Sequence, residues 1–155
     1  MTRYRKPLSV LLSSLSSLLL LQTAAAQSFG PGQALTTAAG SSSVYATDLD
    51  GDGDADVLAA ASYSDAITWY ENLGGGSFGP EQVITTSTDS AQSVYATDLD
   101  GDGDADVLSA SRSDNKIAWY ENLGGGSFGP QQVITTAAGS AFSVYATDLD
   151  GDGDA

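Results

Sequence analysis

The sequence contains no cysteine and no histidine, and only 5 of its 155 residues are lysine or arginine. Without cysteine no disulfide can stabilise the fold, and neither a thiol nor an imidazole is available as a nucleophile or a base. No other group of polar residues has the arrangement of an active site, so we predict that the chain is not an enzyme. The scarcity of cations also predicts that it does not bind nucleic acid.

Three of the five basic residues, Arg3, Arg5 and Lys6, lie at the N-terminus. An apolar run at 8–21 and three alanines at 24–26 follow them. This three-part pattern predicts a secretory signal peptide over residues 1–26, and therefore a secreted, extracellular protein. A membrane anchor is the alternative, but the apolar run has about 14 residues against the roughly 20 that a spanning helix needs. We therefore expect no membrane insertion after cleavage of the signal peptide.

The formal net charge is −15, and most of the aspartates lie in three copies of one short pattern. The first copy, residues 48–56, has carboxylates at alternate positions, with Gly51 and Gly53 between them. Residues 98–106 repeat it letter for letter, and a third copy begins at Asp148. Carboxylates 4 Å apart repel one another by about 1 kcal/mol per pair even in water, so a compact loop of this kind requires a cation. A ligand set made only of oxygen favours calcium.

The spacing also predicts what each aspartate does. In calcium loops, positions 1, 3 and 5 donate side-chain oxygens, position 7 donates its backbone carbonyl, and glycine at position 6 allows the sharp turn. The predicted side-chain ligands are Asp48, Asp50, Asp52 and Asp56, and Asp54 is the predicted backbone ligand. Their equivalents in the second copy are Asp98, Asp100, Asp102 and Asp106, with Asp104 as the backbone ligand. The third copy keeps Asp148, Asp150, Asp152 and Asp154, and the given sequence ends before its position 9.

The aspartate loops have two alternative interpretations. A helical calcium hand needs a glutamate at position 12 and a helix on each side. Position 12 is Ala59 or Ser109, and the flanking residues alternate as strands do. The sequence therefore disfavours that motif. The other alternative is a solvated acidic turn that binds no metal.

The chain repeats with a period of 50 residues, since 43–58 is identical to 93–108 and 69–80 is identical to 119–130. A period of this size predicts a solenoid, a propeller or an array. We divide residues 27–155 into a tail strand at 28–42, units at 43–92 and 93–142, and a truncated unit at 143–155. No helical periodicity is present after the signal segment.

Alternation of β-branched and aromatic residues predicts four short strands in each unit, in the first unit near 43–47, 57–61, 67–71 and 82–86. The predicted fold is all-β, with four-stranded antiparallel blades of a β-propeller and about two and a half blades present. A closed propeller needs 4–8 blades, so the sequence is expected to be a fragment or to assemble with other chains. The tail strand near 33–37 is expected to pair with the last blade of the ring.

Two segments carry a family resemblance: the loop at 48–56 and the run Trp-Tyr-Glu-Asn-Leu-Gly-Gly-Gly-Ser-Phe-Gly-Pro at 69–80. They resemble the FG-GAP/VCBS repeat, which builds the propellers of integrin alpha chains and of many secreted bacterial, algal and fungal proteins. The resemblance covers 28–155 and implies a propeller, seven-bladed in many members, with calcium in the hairpin loops. Three alanines at 59–61 depart from the expected Gly-Ala-Pro, and integrin-type ligand binding is not implied.

The expected function is that of a secreted calcium-binding module for extracellular ligand binding or adhesion, in which calcium stabilises the blade hairpins. Loops that differ between units, at 62–66 and 112–116, are the expected surface for an extracellular protein or glycan, and association with further blades or chains is also expected. The alternative is the scaffold of a secreted enzyme or lectin whose active part lies beyond residue 155. Trp69 and Trp119 are predicted to be blade core rather than sugar-stacking surfaces.

Overall fold

A computed structural model of the chain describes residues 34–35 and 40–149, which lie within one compact unit, Gln33–Ala155. The predicted signal peptide, most of the predicted tail strand, and Asp150, Asp152 and Asp154 lie outside the described residues. The strands of the first repeat are β1 (Ser41–Thr47), β2 (Asp56–Ala61), β3 (Ala66–Tyr70) and β4 (Gln82–Thr85). Those of the second are β5 (Ala91–Thr97), β6 (Asp106–Ser111), β7 (Lys116–Tyr120) and β8 (Gln132–Thr135).

The strands form two sheets of four, each with its strands in chain order and every neighbouring pair antiparallel. The part of the chain that the structure describes contains no helix, and therefore none long and apolar enough to cross a membrane. The prediction of an all-β fold built from four-stranded antiparallel sheets is confirmed, and the sheets are compatible with propeller blades. Each strand predicted for the first repeat agrees with the structure to within about two residues at either end.

The apolar run that follows the first aspartate loop, residues 57–61, lies in β2, an inner strand of the first sheet. It pairs with β1 on one side and β3 on the other, and Leu58, Ala59, Ala60 and Ala61 are all buried. Burial at successive positions shows that both faces of β2 are covered, which favours an unbroken run of apolar side chains over an alternating one. In the equivalent strand β6, Ser109 and Ser111 are buried at two of these positions.

The turn between the second and third strands of each repeat holds the start of the next repeat. Asp65 has φ 53° and Asn115 has φ 54°, a left-handed conformation that these two residue types tolerate well. The Asp65 Oδ1 atom accepts a hydrogen bond from the Ser90 backbone N–H at 2.8 Å, and Asn115 Oδ1 accepts one from Ser140 N–H at 2.7 Å. In both repeats, the side chain at this turn position therefore holds the segment that leads into the next repeat.

The main hydrophobic core lies between the two sheets, as the repeat logic predicts. Leu58, Ile67 and Trp69 of the first sheet form one buried cluster with residues of the second, among them Val107 and Tyr120. Burial of an apolar side chain of this size contributes about 1.5–3 kcal/mol. Packing of one blade against the next is thus a principal source of stability in this unit.

A column of tyrosines also aligns successive repeats. The ring centroids of Tyr45 and Tyr95 are 4.9 Å apart, and those of Tyr95 and Tyr145 are 4.6 Å apart. Burial raises the pKa of Tyr95 to about 12, and hydrogen bonds with Tyr145 and Tyr45 act in the same direction. Next to this column, Ser43 Oγ accepts a hydrogen bond from Val94 N–H at 3.4 Å. The first strands of the two sheets are therefore held side by side.

Candidate metal centre

The loop that joins β1 to β2 brings three carboxylates together. Asp48, Asp50 and Asp56 each offer an oxygen, and these oxygens lie within 4.8 Å of one another. Asp98, Asp100 and Asp106 form the same arrangement between β5 and β6. Each described copy of the loop is therefore a group of three acidic side chains that could hold a metal ion.

Hydrogen bonds within the loop explain how it closes. Both carboxylate oxygens of Asp48 accept backbone N–H groups, from Gly51 at 2.7 Å and from Gly53 at 2.9 Å. Gly51 has φ 83° and Gly53 has φ 95°, values that side-chain-bearing residues rarely adopt. The glycines let the chain fold around the first aspartate, as expected for a loop of this spacing.

Asp56 is fully buried and connects the loop to the rest of the blade. Its Oδ2 atom accepts the Leu49 N–H at 2.9 Å, and its Oδ1 atom accepts the Asn72 N–H at 2.8 Å. Asp106 makes the equivalent bonds with Leu99 and Asn122, at 3.0 Å and 2.7 Å. The ninth-position aspartate therefore has a structural role in addition to its predicted role as a ligand.

The two remaining aspartates of the loop lie outside this group of three. Asp50 Oδ1 accepts a bond from Asp52 N–H at 3.1 Å, and Asp52 Oδ1 accepts one from Asp54 N–H at 2.8 Å. Both Asp52 and Asp54 are exposed. Their coordination, and that of Asp102 and Asp104, stays a prediction. In the third copy only Asp148 lies among the described residues.

The electrostatics of the group favour a bound cation. Burial raises the pKa of Asp50, the N–H of Asp52 lowers it, and the carboxylates of Asp56, Asp52 and Asp48 raise it further. Burial also raises the pKa of Asp106, against the hydrogen bonds from Asn122 and Leu99. A cation among these oxygens would stabilise their charged forms and act in the opposite direction.

The residues present fit calcium in size and in donor type. Calcium–oxygen distances are about 2.3–2.6 Å, so two ligands on opposite sides of the ion lie about 4.6–5.2 Å apart. The oxygens of each group lie within 4.8 Å of one another, so one ion could contact all three. A carboxylate oxygen that accepts one N–H keeps a further lone pair, so the hydrogen bonds of Asp48 and Asp56 are compatible with coordination.

The two tryptophans occupy equivalent positions but differ in burial. Trp69 is 3% exposed and belongs to the core between the sheets, so the prediction that it is core is confirmed. Trp119 is half-buried and lines an open pocket of about 450 Å³. The other lining residues are Leu99, Asp100, Leu108, Ile117, Ile134, Val144, Tyr145 and Ala146. Six of these eight, all except Asp100 and Tyr145, are the counterparts, 50 positions later, of residues in or packed against the core between the blades.

Two asparagines that were not among the predicted site residues connect the aspartate loops to the rest of the structure. Asn72 and Asn122 each bind the buried ninth-position aspartate of their own blade, and Asn122 also reaches the first blade. Their recurrence in the run Trp-Tyr-Glu-Asn-Leu was the available signal. Glu71 and Glu121, which precede them, are half-buried.

Comparison with known protein families is consistent with this geometry. The profile of the FG-GAP-like repeat matches residues 48–109 and 98–155, which together cover more than half of the chain. The chain belongs to the FG-GAP-like repeat family. FG-GAP repeats suggest a β-propeller-like module, are often calcium-binding and are typical of extracellular proteins. Searches of curated proteins and of solved structures each returned no match.

Proposed function

We propose that this FG-GAP repeat chain is an extracellular β-propeller-like module whose aspartate loops bind calcium, and that calcium stabilises the blades for ligand binding or adhesion. The observation that carries the proposal is the repeated group of three carboxylates, which has the same composition and the same closing hydrogen bonds in both described loops. The family match supports calcium and an extracellular location.

The calcium would act on the hairpin between the first and second strands of each blade. It would neutralise repulsion among Asp48, Asp50 and Asp56 and hold the loop in its folded shape. A ligand that binds only the folded state stabilises it by about 0.4–1.4 kcal/mol per site at about 1–10 times its dissociation constant. Extracellular calcium modules have dissociation constants of about 10⁻⁴–10⁻³ M, so millimolar calcium is the relevant range.

Thermal unfolding combined with equilibrium dialysis tests this proposal. We expect the melting temperature to rise in millimolar calcium and to fall in a chelator, with calcium retained in dialysis. The control is the double variant Asp50→Asn and Asp100→Asn, which changes one carboxylate in each described group and should respond far less. Equal melting temperatures in calcium and chelator, together with no bound calcium, would contradict the proposal.

The turns that differ between blades are the proposed surface for a protein or glycan ligand. Tyr63 in the first blade is 81% exposed, and Arg112 and Ser113 are exposed at the corresponding turn of the second. Retention of the chain on an immobilised glycan panel, in calcium and in chelator, tests the glycan option. Tyr63→Ala and Arg112→Ala should reduce retention, and Val133→Ala, at an exposed site on β8, is the control. Loss of retention in the control alone would contradict this surface.

The pocket beside Trp119 supports association with a further blade of the same repeat. Five of its lining residues, at 99, 108, 117, 119 and 134, are the counterparts of first-blade residues in or packed against the core between the blades, and Ile134 remains 58% exposed. Sedimentation velocity tests whether a second copy supplies that blade. Self-association that Trp119→Asp weakens is expected, and a chain that is monomeric at every concentration would contradict it. The alternative, a scaffold for an enzyme or lectin part beyond residue 155, stays a prediction.

A further inference from the structure

Asn122 forms hydrogen bonds with the aspartate loops of both blades. It lies two residues after β7 and is 1% exposed. Its side-chain Nδ2 group donates to the Leu49 carbonyl at 2.8 Å and to the Ala105 carbonyl at 3.1 Å. Leu49 is the second residue of the first loop, and Ala105 is the eighth residue of the second. One amide group therefore contacts two loops whose bonded residues are far apart in the chain.

These bonds continue to the buried carboxylate at each end. The Asn122 backbone N–H donates to Asp106 Oδ1 at 2.7 Å, and the Leu49 N–H donates to Asp56 Oδ2 at 2.9 Å. Asp56 and Asp106 belong to the two groups of three carboxylates. A contiguous set of hydrogen bonds thus runs from one candidate metal site, through Leu49 and Asn122, to the other.

The first blade offers a close internal control at Asn72. Its N–H donates to Asp56 Oδ1 at 2.8 Å, its Nδ2 donates to Ala55 O at 3.0 Å, and its Oδ1 accepts the Gly74 N–H at 3.1 Å. Asn122 makes the same three bonds within its own blade. Within the described part of the chain, the bond to Leu49 is the hydrogen bond by which the two asparagines differ.

We propose that Asn122 is a positioning residue that couples the two loops, so that a cation bound in one loop raises the affinity of the other. The inference rests on the proposed calcium binding. A cation at the second loop holds Asp106, and with it Asn122, which in turn fixes the Leu49 carbonyl of the first loop. The first loop then loses less conformational freedom when it binds its own cation. The coupling is reciprocal, because each site must affect the other by the same factor.

Calorimetric titration of calcium into the chelator-treated full chain tests the coupling. Every protein carries Asp150→Asn, so that the third copy of the loop contributes little. The affinity of the first loop is measured with the second loop intact and with Asp100→Asn. We expect Asp100→Asn to weaken calcium binding at the first loop by about fivefold, the low end of typical couplings.

The asparagine variants then identify the residue responsible. In an Asn122→Ala background Asp100→Asn should no longer affect the first loop, whereas in an Asn72→Ala background the fivefold effect should remain. If either alanine variant fails to fold, Asn122→Leu and Asn72→Leu replace them, because leucine has a similar branched shape and removes the Nδ2 donor without adding a charge. Circular dichroism checks the folding of each variant.

The outcomes separate this inference from the proposed function. If both loops bind calcium with affinities that ignore each other, calcium binding stands and the coupling is wrong. If the coupling persists in Asn122→Ala, it does not pass through this residue. If no protein binds calcium at all, the proposed function and the coupling both fail.

Discussion

The indole ring of Trp69 fills the space that a side chain at Gly126 would need. A Cβ atom placed on Gly126 would lie 2.6 Å from Cη2 of Trp69, closer than real Cβ atoms come to other heavy atoms. Gly126 also has φ 70°, in the left-handed region. The last glycine of the Gly-Gly-Gly turn is therefore required for packing of one blade on the next as well as for the turn itself.

Gly126→Ala should destabilise the chain more than Gly76→Ala, its counterpart in the first blade. Gly76 has φ 81°, so both substitutions introduce similar backbone strain, but a Cβ at Gly76 has no atom within 4 Å among the described residues. The difference isolates the clash with Trp69, and we expect it to be about 1–3 kcal/mol, the usual cost of overpacking. Urea unfolding of the two variants measures it, and equal losses would show that Trp69 does not pack there in solution.

The two tryptophans should differ in accessibility to solvent. The sequence contains two tryptophans, so Trp69→Phe leaves only Trp119 and Trp119→Phe leaves only Trp69. Trp119 is half-buried beside an open pocket and Trp69 is buried between the sheets. Acrylamide should therefore quench the fluorescence of Trp69→Phe more strongly than that of Trp119→Phe. Equally weak quenching would mean that the Trp119 pocket is covered in solution.

Local sequence was sufficient to predict the strands and to locate the aspartate loops, because both depend on residues only a few positions apart. The predicted side-chain ligands also included Asp52, which lies outside the group of three carboxylates. Alternation places side chains on one face of a strand, and the spacing in 48–56 brings three carboxylates together. Local sequence could not predict that Trp69 and Trp119 differ in burial, because residues 69–80 are identical to residues 119–130. Their difference in burial depends on what packs against each sheet. The hydrogen bond from Asn122 to Leu49 also depends on how the two sheets pack, because it joins residues 73 positions apart in the chain. Local sequence therefore could not predict it.

Asp56→Asn should destabilise the chain even when a chelator removes calcium. The carboxylate is buried and both of its oxygens accept backbone N–H groups, from Leu49 and Asn72. An amide side chain would leave one of those buried donors facing an NH₂ group. We expect a loss of about 1–3 kcal/mol in urea unfolding, the cost of an unsatisfied buried polar group.

The exposed Asp54 provides the control for that substitution, since its change to asparagine should cost less than about 0.5 kcal/mol. A loss for Asp56→Asn that appears only in the presence of calcium would mean that its role is coordination alone.

Asp50→Ala should weaken calcium binding much more than Asp54→Ala. The Asp50 carboxylate belongs to the group of three, whereas the predicted contribution of Asp54 is its backbone carbonyl, which alanine keeps. We expect Asp50→Ala to lower the affinity of the loop by about tenfold or more, since even residues behind metal ligands act on that scale. Calcium titration of both variants measures the difference, and equal losses would show that the Asp54 side chain is itself a ligand.

The ion pair between Asp114 and Lys116 should give the second blade a pH-dependent contribution to stability. Their charged groups are 2.8 Å apart, and Ser111 also donates to the Asp114 carboxylate. Burial raises the pKa of Asp114, but the hydrogen bonds from Lys116 and Ser111 and the charge of Lys116 outweigh it, so the pKa is lowered. A carboxyl group whose pKa is lower in the folded chain stabilises that state above its unfolded pKa, about 3.9, and loses this contribution as the pH falls.

The free energy of unfolding of the wild type, minus that of Asp114→Asn, should therefore be constant near neutral pH and decrease toward zero below about pH 4. Its plateau should be about 1 kcal/mol or less, because the pair is partly exposed to solvent. Ser64 occupies the corresponding position in the first blade. Ser64→Asn therefore serves as the control, and its effect should not vary with pH, because neither side chain titrates in this range. A stability difference for Asp114→Asn that grows as the pH falls would reverse the sign and contradict the lowered pKa.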